Sequence, residues 1–444
     1  MPEPIAKGSP PGVTPAIGAA AFAGPVSDDP LLLADTGIRL RDERAYAAAA
    51  AVFQDLIENY PHLVYGWQEM AVLRAQLGEP EEALRLFTQA AQVDPADLQT
   101  RKHLVLHQLR LGLIDEARMS LRSHSSGQAD RSSDLALLQE LVDFIGEYPR
   151  SRALELAARF EDSEQYLAPA LVEQRILAAI EARGALSLIR LGDGEGAWFS
   201  ISDADEARFH RIYETNRREI LAVWFGTDSA YTLPSFLATR KRLIDAANHA
   251  DIIGLPYSGR ITHEYNVCST RGIASNINIL RWFDAPRDDA GLRRYCSQDI
   301  HMDLHWRKFF PKLLSLPIDF GIVSCHPEIG YRLARAFGTR VVRMFIVPEE
   351  MGFSKIDENL PAITGISGIA EPHFPFVYNR TIAKLEREAP QARVWLVAAG
   401  YLGKIYCDVV RNAGAIALDV GSIVDGWSGA VTRPYLRAIE NFRV

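Results

Sequence analysis

The apolar residues of this chain follow two different spacings. Up to about residue 182 they recur every three or four positions, as Val172, Ile176 and Ile180 do. This spacing puts apolar side chains on one face of a helix and predicts an all-helical first part. After that point short apolar runs without polar alternation take over, at 185–191, 251–256, 320–325, 340–347, 393–399 and 415–420.

Helix-length stretches separate several of these runs, among them 233–249, 328–338 and 402–413. Strands that are apolar on both faces and joined by helical crossovers indicate a mostly parallel sheet with helices on each side. The sequence therefore predicts a Rossmann-like α/β fold over 183–444, preceded by an all-α helical part.

An internal repeat lies within the helical part. Ala49, Phe53 and Pro61 recur as Ala83, Phe87 and Pro95, each 34 positions later, and Gly78 recurs as Gly112. This interval and these residue types resemble the tetratricopeptide (TPR) helix–turn–helix repeat, with one clear copy and two degraded neighbours over 31–125. Such arrays commonly hold a peptide or a partner protein on a concave surface. Bracing of the next domain and self-association stay open as alternatives.

The remaining boundaries follow from composition. Residues 1–30 are rich in Pro, Gly and Ala without periodicity and predict a disordered tail. A polar segment rich in serine begins near residue 123, so 126–182 is interpreted as a hinge and helical connector. The α/β domain then takes up 183–444.

Charge and cysteine content narrow the class of protein. The net charge of −8 argues against a nucleic-acid or anionic-membrane binder. The four cysteines are scattered, without a Cys-x-x-Cys pair, which is typical of a reducing compartment. Because no apolar run reaches the roughly 20 residues of a membrane span, no transmembrane segment is predicted. We expect a cytoplasmic protein that could dock at the inner membrane only through a partner.

The first predicted strand ends in a glycine-spaced turn that carries two carboxylates, Asp193 and Glu195. Ligands bind where strands end in α/β proteins, and Gly192 and Gly194 let the backbone approach a phosphate. Carboxylate oxygens are the ligands that Mg²⁺ and Mn²⁺ prefer. The turn therefore predicts a divalent metal held against a diphosphate by Asp193 and Glu195.

The same glycines also fit a pocket for a dinucleotide or for S-adenosylmethionine. Such a pocket uses an acidic residue about 20 positions later, at the end of the next strand. Asp203 and Asp205 come too early for that role. An S-adenosylmethionine-dependent methyltransferase nevertheless stays as an alternative, as does a non-catalytic TPR scaffold.

The last predicted strands end in two further motifs. Strand 393–399 runs into Gly400-Tyr-Leu-Gly403-Lys404, and strand 415–420 ends in Leu-Asp419-Val-Gly, with Asp425 just beyond. Together with Arg190-Leu-Gly-Asp-Gly-Glu, these motifs resemble the GT-D fold of bacterial glycosyltransferases. The resemblance covers about 185–430. The chain departs from that family at His326, where members often have Arg or Ser, and at Ser422, where they often have His.

The resemblance implies transfer of a sugar from a nucleotide-sugar donor, often a UDP-sugar, to a protein or glycan acceptor. It implies Mn²⁺ or Mg²⁺ on Asp193 and Glu195, where the ion neutralises the departing diphosphate. The predicted nucleotide-binding residues are Arg190, Gly192, Gly194, Tyr257, His326, Gly400, Gly403, Lys404, Asp419 and Asp425. Lys404 and the backbone N–H groups of the Gly400–Gly403 segment are expected to receive phosphate oxygens, because they open a helix.

Candidates for a catalytic base lie in Asp299-x-His301-x-Asp303-x-His305. His301 and Asp303 are the catalytic candidates of this segment, which could supply a base, an acceptor site or a second metal site. A polar helix near the surface that leads into an aromatic core is the other interpretation. Tyr257 follows the second strand, where its ring could stack on a nucleobase.

Overall fold

The computed structural model describes residues 29–122, 133–226, 233–286, 293–350, 365–433 and 436. The chain forms two compact units, Met1–Val142 and Asp143–Val444. Residues 1–28 of the predicted tail and the polar segment 123–132 lie outside the described residues. Within the described part of the chain, no helix has both the length and the apolar character needed to cross a membrane.

The first unit contains three consecutive helical hairpins. Its helices are α1 (Pro30–Asp42), α2 (Tyr46–Asn59), α3 (Val64–Gln76), α4 (Pro80–Val93), α5 (Leu98–Arg110) and α6 (Ile114–Arg122). The first helices of the hairpins start 34 residues apart (30, 64, 98), and so do the second helices (46, 80, 114). Ala49, Ala83 and Ala117 occupy the same place in each hairpin and are fully buried. The helical-repeat prediction is confirmed.

The second unit begins within α7 (Ser133–Glu147) and combines further helices with seven strands. The helices are α8 (Arg150–Glu161), α9 (Pro169–Glu181), α10 (Asp193–Gly196), α11 (Asp203–Arg208), α12 (His210–Phe225), α13 (Leu233–His249), α14 (Ser258–Val267), α15 (Thr270–Asp284), α16 (Ile300–Trp306), α17 (Phe309–Leu314), α18 (Ile329–Phe337), α19 (Tyr378–Glu388), α20 (Gly400–Asn412) and α21 (Ile423–Ser428). The strands are β1 (Leu186–Arg190), β2 (Ile252–Leu255), β3 (Arg294–Ser297), β4 (Asp319–Ser324), β5 (Arg340–Ile346), β6 (Val394–Val397) and β7 (Ile416–Asp419).

The strands form one all-parallel sheet in the order β3-β2-β1-β7-β6-β4-β5. The α/β prediction is confirmed, and each apolar run of the sequence coincides with one strand to within a few residues. Only β3 is new. This strand of four residues has a polar residue at each end, Arg294 and Ser297, so the sequence shows no apolar run there.

The chain leaves β1 and β7 toward opposite faces of the sheet. After β1 it continues through α10–α13, and α13 packs on α20, which covers β1, β6 and β7. After β7 it enters α21, whose Ile423 and Trp427 belong to the core on the other face together with Val172 of α9. β1 and β7 are neighbours in the sheet. Their carboxyl ends therefore border a topological switch point, the place where α/β sheets hold ligands.

Candidate functional site

A cluster of four charged side chains, three of them buried and Arg190 partly buried, lies at the carboxyl ends of β1 and β7. Its members are Arg190, Glu195, Lys404 and Asp419. They come from the end of β1, the turn after β1, the first turns of α20 and the end of β7. The sequence predictions for these four residues thus meet in one place.

Lys404 connects three of these segments. Its Nζ lies 2.9 Å from Glu195 Oε1 and 3.2 Å from Asp419 Oδ2, and it donates a hydrogen bond of 3.1 Å to the carbonyl oxygen of Gly400. An ammonium group has three N–H donors. Each donor of Lys404 therefore has a protein oxygen in reach, and a phosphate oxygen would have to replace one of them.

Arg190 secures the other side of Asp419. Its guanidinium donates to Asp419 Oδ1 at 3.1 Å and to the Asp419 carbonyl oxygen at 3.1 Å. A further N–H points at Nδ1 of His301, 3.0 Å away. Gly421 lies directly against the guanidinium with φ +52°, and a Cβ there would overlap it. This position therefore requires glycine for both backbone and space.

The charged groups of the cluster shift one another's pKa values. Burial raises the pKa of Asp419, but Arg190 and Lys404 outweigh it and hold the pKa below its ordinary value of 3.8. Burial lowers the pKa of Lys404, but Asp419 and Glu195 outweigh it and hold the pKa above its usual value. Burial and the neighbouring Arg190 keep the pKa of His301 well below that of a free imidazole. His301 is thus neutral at physiological pH and positions Arg190.

Asp193 and Glu195 have different environments although they are two residues apart. Glu195 is buried, and its Oε2 accepts a hydrogen bond of 2.9 Å from the Gly192 N–H at the start of α10. The Asp193 side chain is 33% exposed and lies 3.0 Å from Arg271 Nε and 3.9 Å from Arg260. Glu195 is therefore a structural member of the cluster, and Asp193 is the accessible carboxylate of the turn.

The glycines of this turn differ in the space that a Cβ atom would have at each position. A Cβ on Gly196 would overlap the carbonyl oxygen of Ser275 in α15, and one on Gly194 would lie 2.7 Å from the Trp224 ring. A Cβ on Gly192 would meet its nearest atom, Gln298 Oε1, at 3.6 Å, which is ordinary contact. Close packing thus explains two of the three glycines.

Gln298 is an unexpected polar member of the site. It follows β3 and is buried, and its Oε1 has no hydrogen-bond partner in the described structure. A Cβ on Gly192 would lie 3.6 Å from Gln298 Oε1 and 3.8 Å from Glu195 Oε2, so both oxygens face the same small volume. A buried acceptor without a protein donor is costly and is normally satisfied by ordered water or by a ligand atom.

These oxygens provide a test of the predicted metal site. Asp193 offers accessible oxygen, and Gln298 offers an unpaired amide oxygen, both of the hard type that Mg²⁺ and Mn²⁺ prefer. Glu195 is already engaged by Lys404 through one oxygen and by Gly192 through the other. The oxygens of Asp193, Gln298 and Glu195 are thus of the chemical type that suits a hard divalent ion.

The loops after β5 and β6 border the same crevice. Gly400 opens α20 with φ +52°, and a Cβ there would lie 2.8 Å from Glu350 Oε1 and 3.4 Å from Trp224 Nε1. Ala399, the residue before the helix, provides no side-chain cap. Gly194 of the β1 turn and Gly400 of α20 thus both lie against the indole ring of Trp224.

Other sequence candidates have structural roles. Gly403 lies inside α20, where a Cβ would approach Val397 of β6 to 3.3 Å, so it serves packing. The hydroxyl of Tyr257 donates to Asp299 Oδ2 at 3.0 Å. Asp303 is half-buried on α16, and burial together with its weaker charge effect raises the pKa of Tyr257 and of Cys296. The structure brings His301 to the cluster, where it contacts Arg190.

His326 and Asp425 contact each other. His326 Nε2 lies 2.8 Å from Asp425 Oδ1, and the Thr432 hydroxyl donates to Asp425 Oδ2 at 2.6 Å. Cys325, the first residue after β4, lies beside this pair. Burial and then the charges of Asp425, Glu349 and Glu350 raise the pKa of the Cys325 thiol. The thiol is therefore protonated at neutral pH and is not an activated nucleophile.

Arg260, Arg271, Gln298, Glu350 and Trp224 line the site but were not found from the sequence. None belongs to a glycine-bearing motif, and each reaches the crevice from a different loop or helix. Single residues of these types are common outside any motif, so only the folded arrangement identifies them.

No known protein family matches the chain, and no curated protein resembles it significantly. Among solved structures, a mutant of the O-GlcNAc transferase of Thermobaculum terrenum is similar at 11% identity, over 88% of this chain and 74% of that chain, with a TM-score of 0.23. That TM-score is too low to establish a common fold. The likeness therefore assigns neither fold nor activity to this chain.

Proposed function

We propose that the protein is a glycosyltransferase that takes a sugar from a nucleotide diphosphate donor, with UDP-sugars as the first class to test. One observation carries the proposal. Gly400 at the start of α20 and Gly194 of the Asp193 turn both lie against the Trp224 ring, at the switch point of a parallel sheet. Such a crevice suits a diphosphate because helix N-termini present free N–H groups and a positive dipole end.

Two cations flank the accessible carboxylate. Arg271 and Arg260 lie beside Asp193, and both side chains are about one-third exposed, at 29% and 31%. A nucleotide diphosphate gathers negative charge as the glycosyl bond breaks. Arg271 and Arg260 can contact phosphate oxygens directly, because guanidinium groups pair with such oxygens in bidentate fashion.

Mn²⁺ or Mg²⁺ would be held by Asp193, Gln298 and Glu195. When bound, such an ion supplies a Lewis acid that stabilises charge on a phosphoryl oxygen. Contacts within the protein hold the neighbouring carboxylates in position. Lys404 and Arg190 fix Glu195 and Asp419 in the buried cluster, and the Gly192 N–H fixes the second oxygen of Glu195. Buried, fully paired groups do not reorganise during the reaction, which is how preorganised sites lower a barrier.

The helical repeats are proposed to recruit the acceptor, a protein or a glycan, or a partner that delivers it. Three successive hairpins give a continuous surface of the kind that repeat arrays use for binding. Deleting residues 1–125 should then preserve donor hydrolysis and reduce transfer to the acceptor at least about tenfold, which is about 1.4 kcal/mol of transition-state binding. Unchanged transfer after the deletion would remove the recruiting role.

Calorimetry on the full-length protein tests the central proposal. We expect UDP to bind, Mn²⁺ to strengthen that binding, and Asp193→Asn to weaken the Mn²⁺-dependent part about tenfold or more. Asp203→Asn is the matched control, because Asp203 is an exposed acid ten residues away. A panel of nucleotide sugars then identifies the donor by hydrolysis.

Two outcomes would replace the proposal. Binding of S-adenosylmethionine without UDP would indicate the methyltransferase alternative. Absence of binding to either ligand, in protein with a wild-type thermal melt, would indicate a scaffold whose α/β unit is not catalytic.

A further inference from the structure

Three side chains with metal-binding atoms meet at the end of β4. They are Cys325, His326 and Asp425, and one ligand atom from each lies within 4.8 Å of the others. Within the described residues this is the group of three or more such side chains that comes close enough to hold an ion. The Asp193 turn has no part in it.

The ligand types select the ion. A thiolate, an imidazole and a carboxylate together suit a borderline-soft cation rather than Mg²⁺ or Mn²⁺, whose ligands are almost entirely oxygen. Zn²⁺ accepts all three, and sites with three protein ligands leave its fourth position to water or a ligand. From the geometry we propose that Cys325, His326 and Asp425 bind one Zn²⁺ ion at the junction of β4 and α21.

The contacts around the group support a built site. Asp425 Oδ2 accepts a hydrogen bond from the Thr432 hydroxyl at 2.6 Å, so Oδ1 is turned toward His326 Nε2. The backbone N–H of His326 donates to Ser324 Oγ at 3.2 Å, which holds the main chain at this ligand. The Thr432 hydrogen bond is an outer contact of the kind that normally orients metal ligands. His326 and Asp425 are 7% and 16% exposed at their side chains, which leaves an entry path on the Asp425 side.

The distances require only a small movement. Zn–N and Zn–O bonds of about 2.0–2.2 Å in a tetrahedron put two ligands roughly 3.3 Å apart. His326 Nε2 and Asp425 Oδ1 are 2.8 Å apart, at hydrogen-bond distance. Zn²⁺ would replace that hydrogen bond, and the two side chains would separate by about half an ångström. Binding also releases the proton of the Cys325 thiol, so affinity rises with pH.

The site does not depend on the proposed glycosyl transfer, and its test measures metal binding alone. Full-length protein is stripped with a chelator and titrated with Zn²⁺ by calorimetry and with Co²⁺ by absorption spectroscopy. We expect one equivalent of Zn²⁺, and a thiolate-to-cobalt charge-transfer band together with the visible absorption of a low-coordinate Co²⁺ centre.

Variants locate the ion. Cys325→Ser should abolish the charge-transfer band and weaken Zn²⁺ binding by more than the 10–100-fold typical of lost outer-shell contacts, while Thr432→Val should weaken it about tenfold. Cys268→Ser is the matched control, because Cys268 is a buried cysteine outside the group. It should keep both signals, as should Asp193→Asn.

The proposal would be overturned by wild-type protein that binds no Zn²⁺, or by Cys325→Ser protein that keeps the charge-transfer band and the affinity. His326→Gln provides a second variant that leaves the thiol intact. It should weaken Zn²⁺ binding in the same way, and unchanged binding would equally overturn the site. Loss of binding in Asp193→Asn alone would move the ion to the β1 turn and contradict the proposal.

Discussion

The ammonium nitrogen of Lys404 lies 2.9 Å from Oε1 of Glu195, and both side chains are less than one-tenth exposed. This ion pair joins the turn after β1 to the first turns of α20. Asp419, 3.2 Å from the same nitrogen, adds the end of β7. These motif residues suggested phosphate chemistry from the sequence. In the structure they hold three segments together at the carboxyl ends of the strands.

Replacing Lys404 by methionine should strongly destabilise the protein. The substitution keeps much of the side-chain volume but leaves Glu195 and Asp419 as buried carboxylates without that cation. Breaking a buried ion pair from one side costs about 3–5 kcal/mol. Urea denaturation of the second unit should report a loss of this order. Lys312→Met, at an exposed lysine of the same unit, should change the free energy of unfolding by less than about 0.5 kcal/mol.

The stability contribution of Asp419 should depend on pH in a definite direction. Its pKa in the folded protein is held below the ordinary value of 3.8, because Arg190 and Lys404 outweigh the opposing effect of burial. A lowered carboxyl pKa stabilises the folded state fully above the unfolded pKa, and the stabilisation is lost as pH falls through the folded pKa. Asp419→Asn should therefore cost most at neutral pH, and the difference from wild type should shrink below about pH 4.

Unfolding curves of wild type and Asp419→Asn from neutral to acidic pH would check this. Asp115→Asn, at an aspartate whose side chain is 86% exposed, is the control and should show almost no difference at any pH. A gap between wild type and Asp419→Asn that stayed constant into acid would contradict the assigned electrostatics.

Replacement by alanine should destabilise the protein at one glycine of the β1 turn and leave its stability unchanged at another. Gly196→Ala puts a methyl group onto the carbonyl oxygen of Ser275, where backbone and not a flexible side chain must move. Overpacking of this kind costs about 1–3 kcal/mol or more. Gly192→Ala meets nothing closer than 3.6 Å and has no positive φ, so thermal melts should stay near wild type. Equal effects would show that close packing of the turn on α15 is not what requires Gly196.

The architecture could largely be predicted from sequence because its signals are periodic. The 34-residue interval gives the hairpin spacing, and unalternated apolar runs give six of the seven strands. The seventh, β3, could not be found this way. Its burial comes from pairing beside β2 at the edge of the sheet, and the sequence Arg-Tyr-Cys-Ser has no apolar run to reveal that position.

The candidate site could be predicted only as far as its motifs reach. Residues next to glycines at strand ends, such as Asp193, Lys404 and Asp419, were identified and lie at one sheet edge. Their separate roles could not be predicted, because the ion pair between Glu195 and Lys404 forms only when α20 covers β1 in the folded protein. Arg271 comes from a helix whose sequence carries no motif, so only the fold brings it to Asp193.

Arg271 offers the sharpest test of how the crevice recognises an anion. Its Nε lies 3.0 Å from Asp193 Oδ2, and its side chain is 29% exposed, so it can contact a phosphate without leaving the carboxylate. A hydrogen bond to a charged group contributes about 1.5–3 kcal/mol. Arg271→Gln should therefore raise the Kd for UDP by roughly ten- to a hundredfold at low salt, as measured by calorimetry.

Arg159→Gln is the matched control for this substitution. Arg159 is likewise paired with an aspartate, Asp284, at 2.9 Å, but its side chain is 58% exposed and it takes no part in the cluster at the sheet edge. Removing it should leave the Kd for UDP unchanged. Because surface pairs contribute little to stability, neither variant should lower the thermal melt by much. If Arg271→Gln bound UDP as tightly as Arg159→Gln does, the guanidinium groups beside Asp193 would not be the anion-binding groups of this crevice.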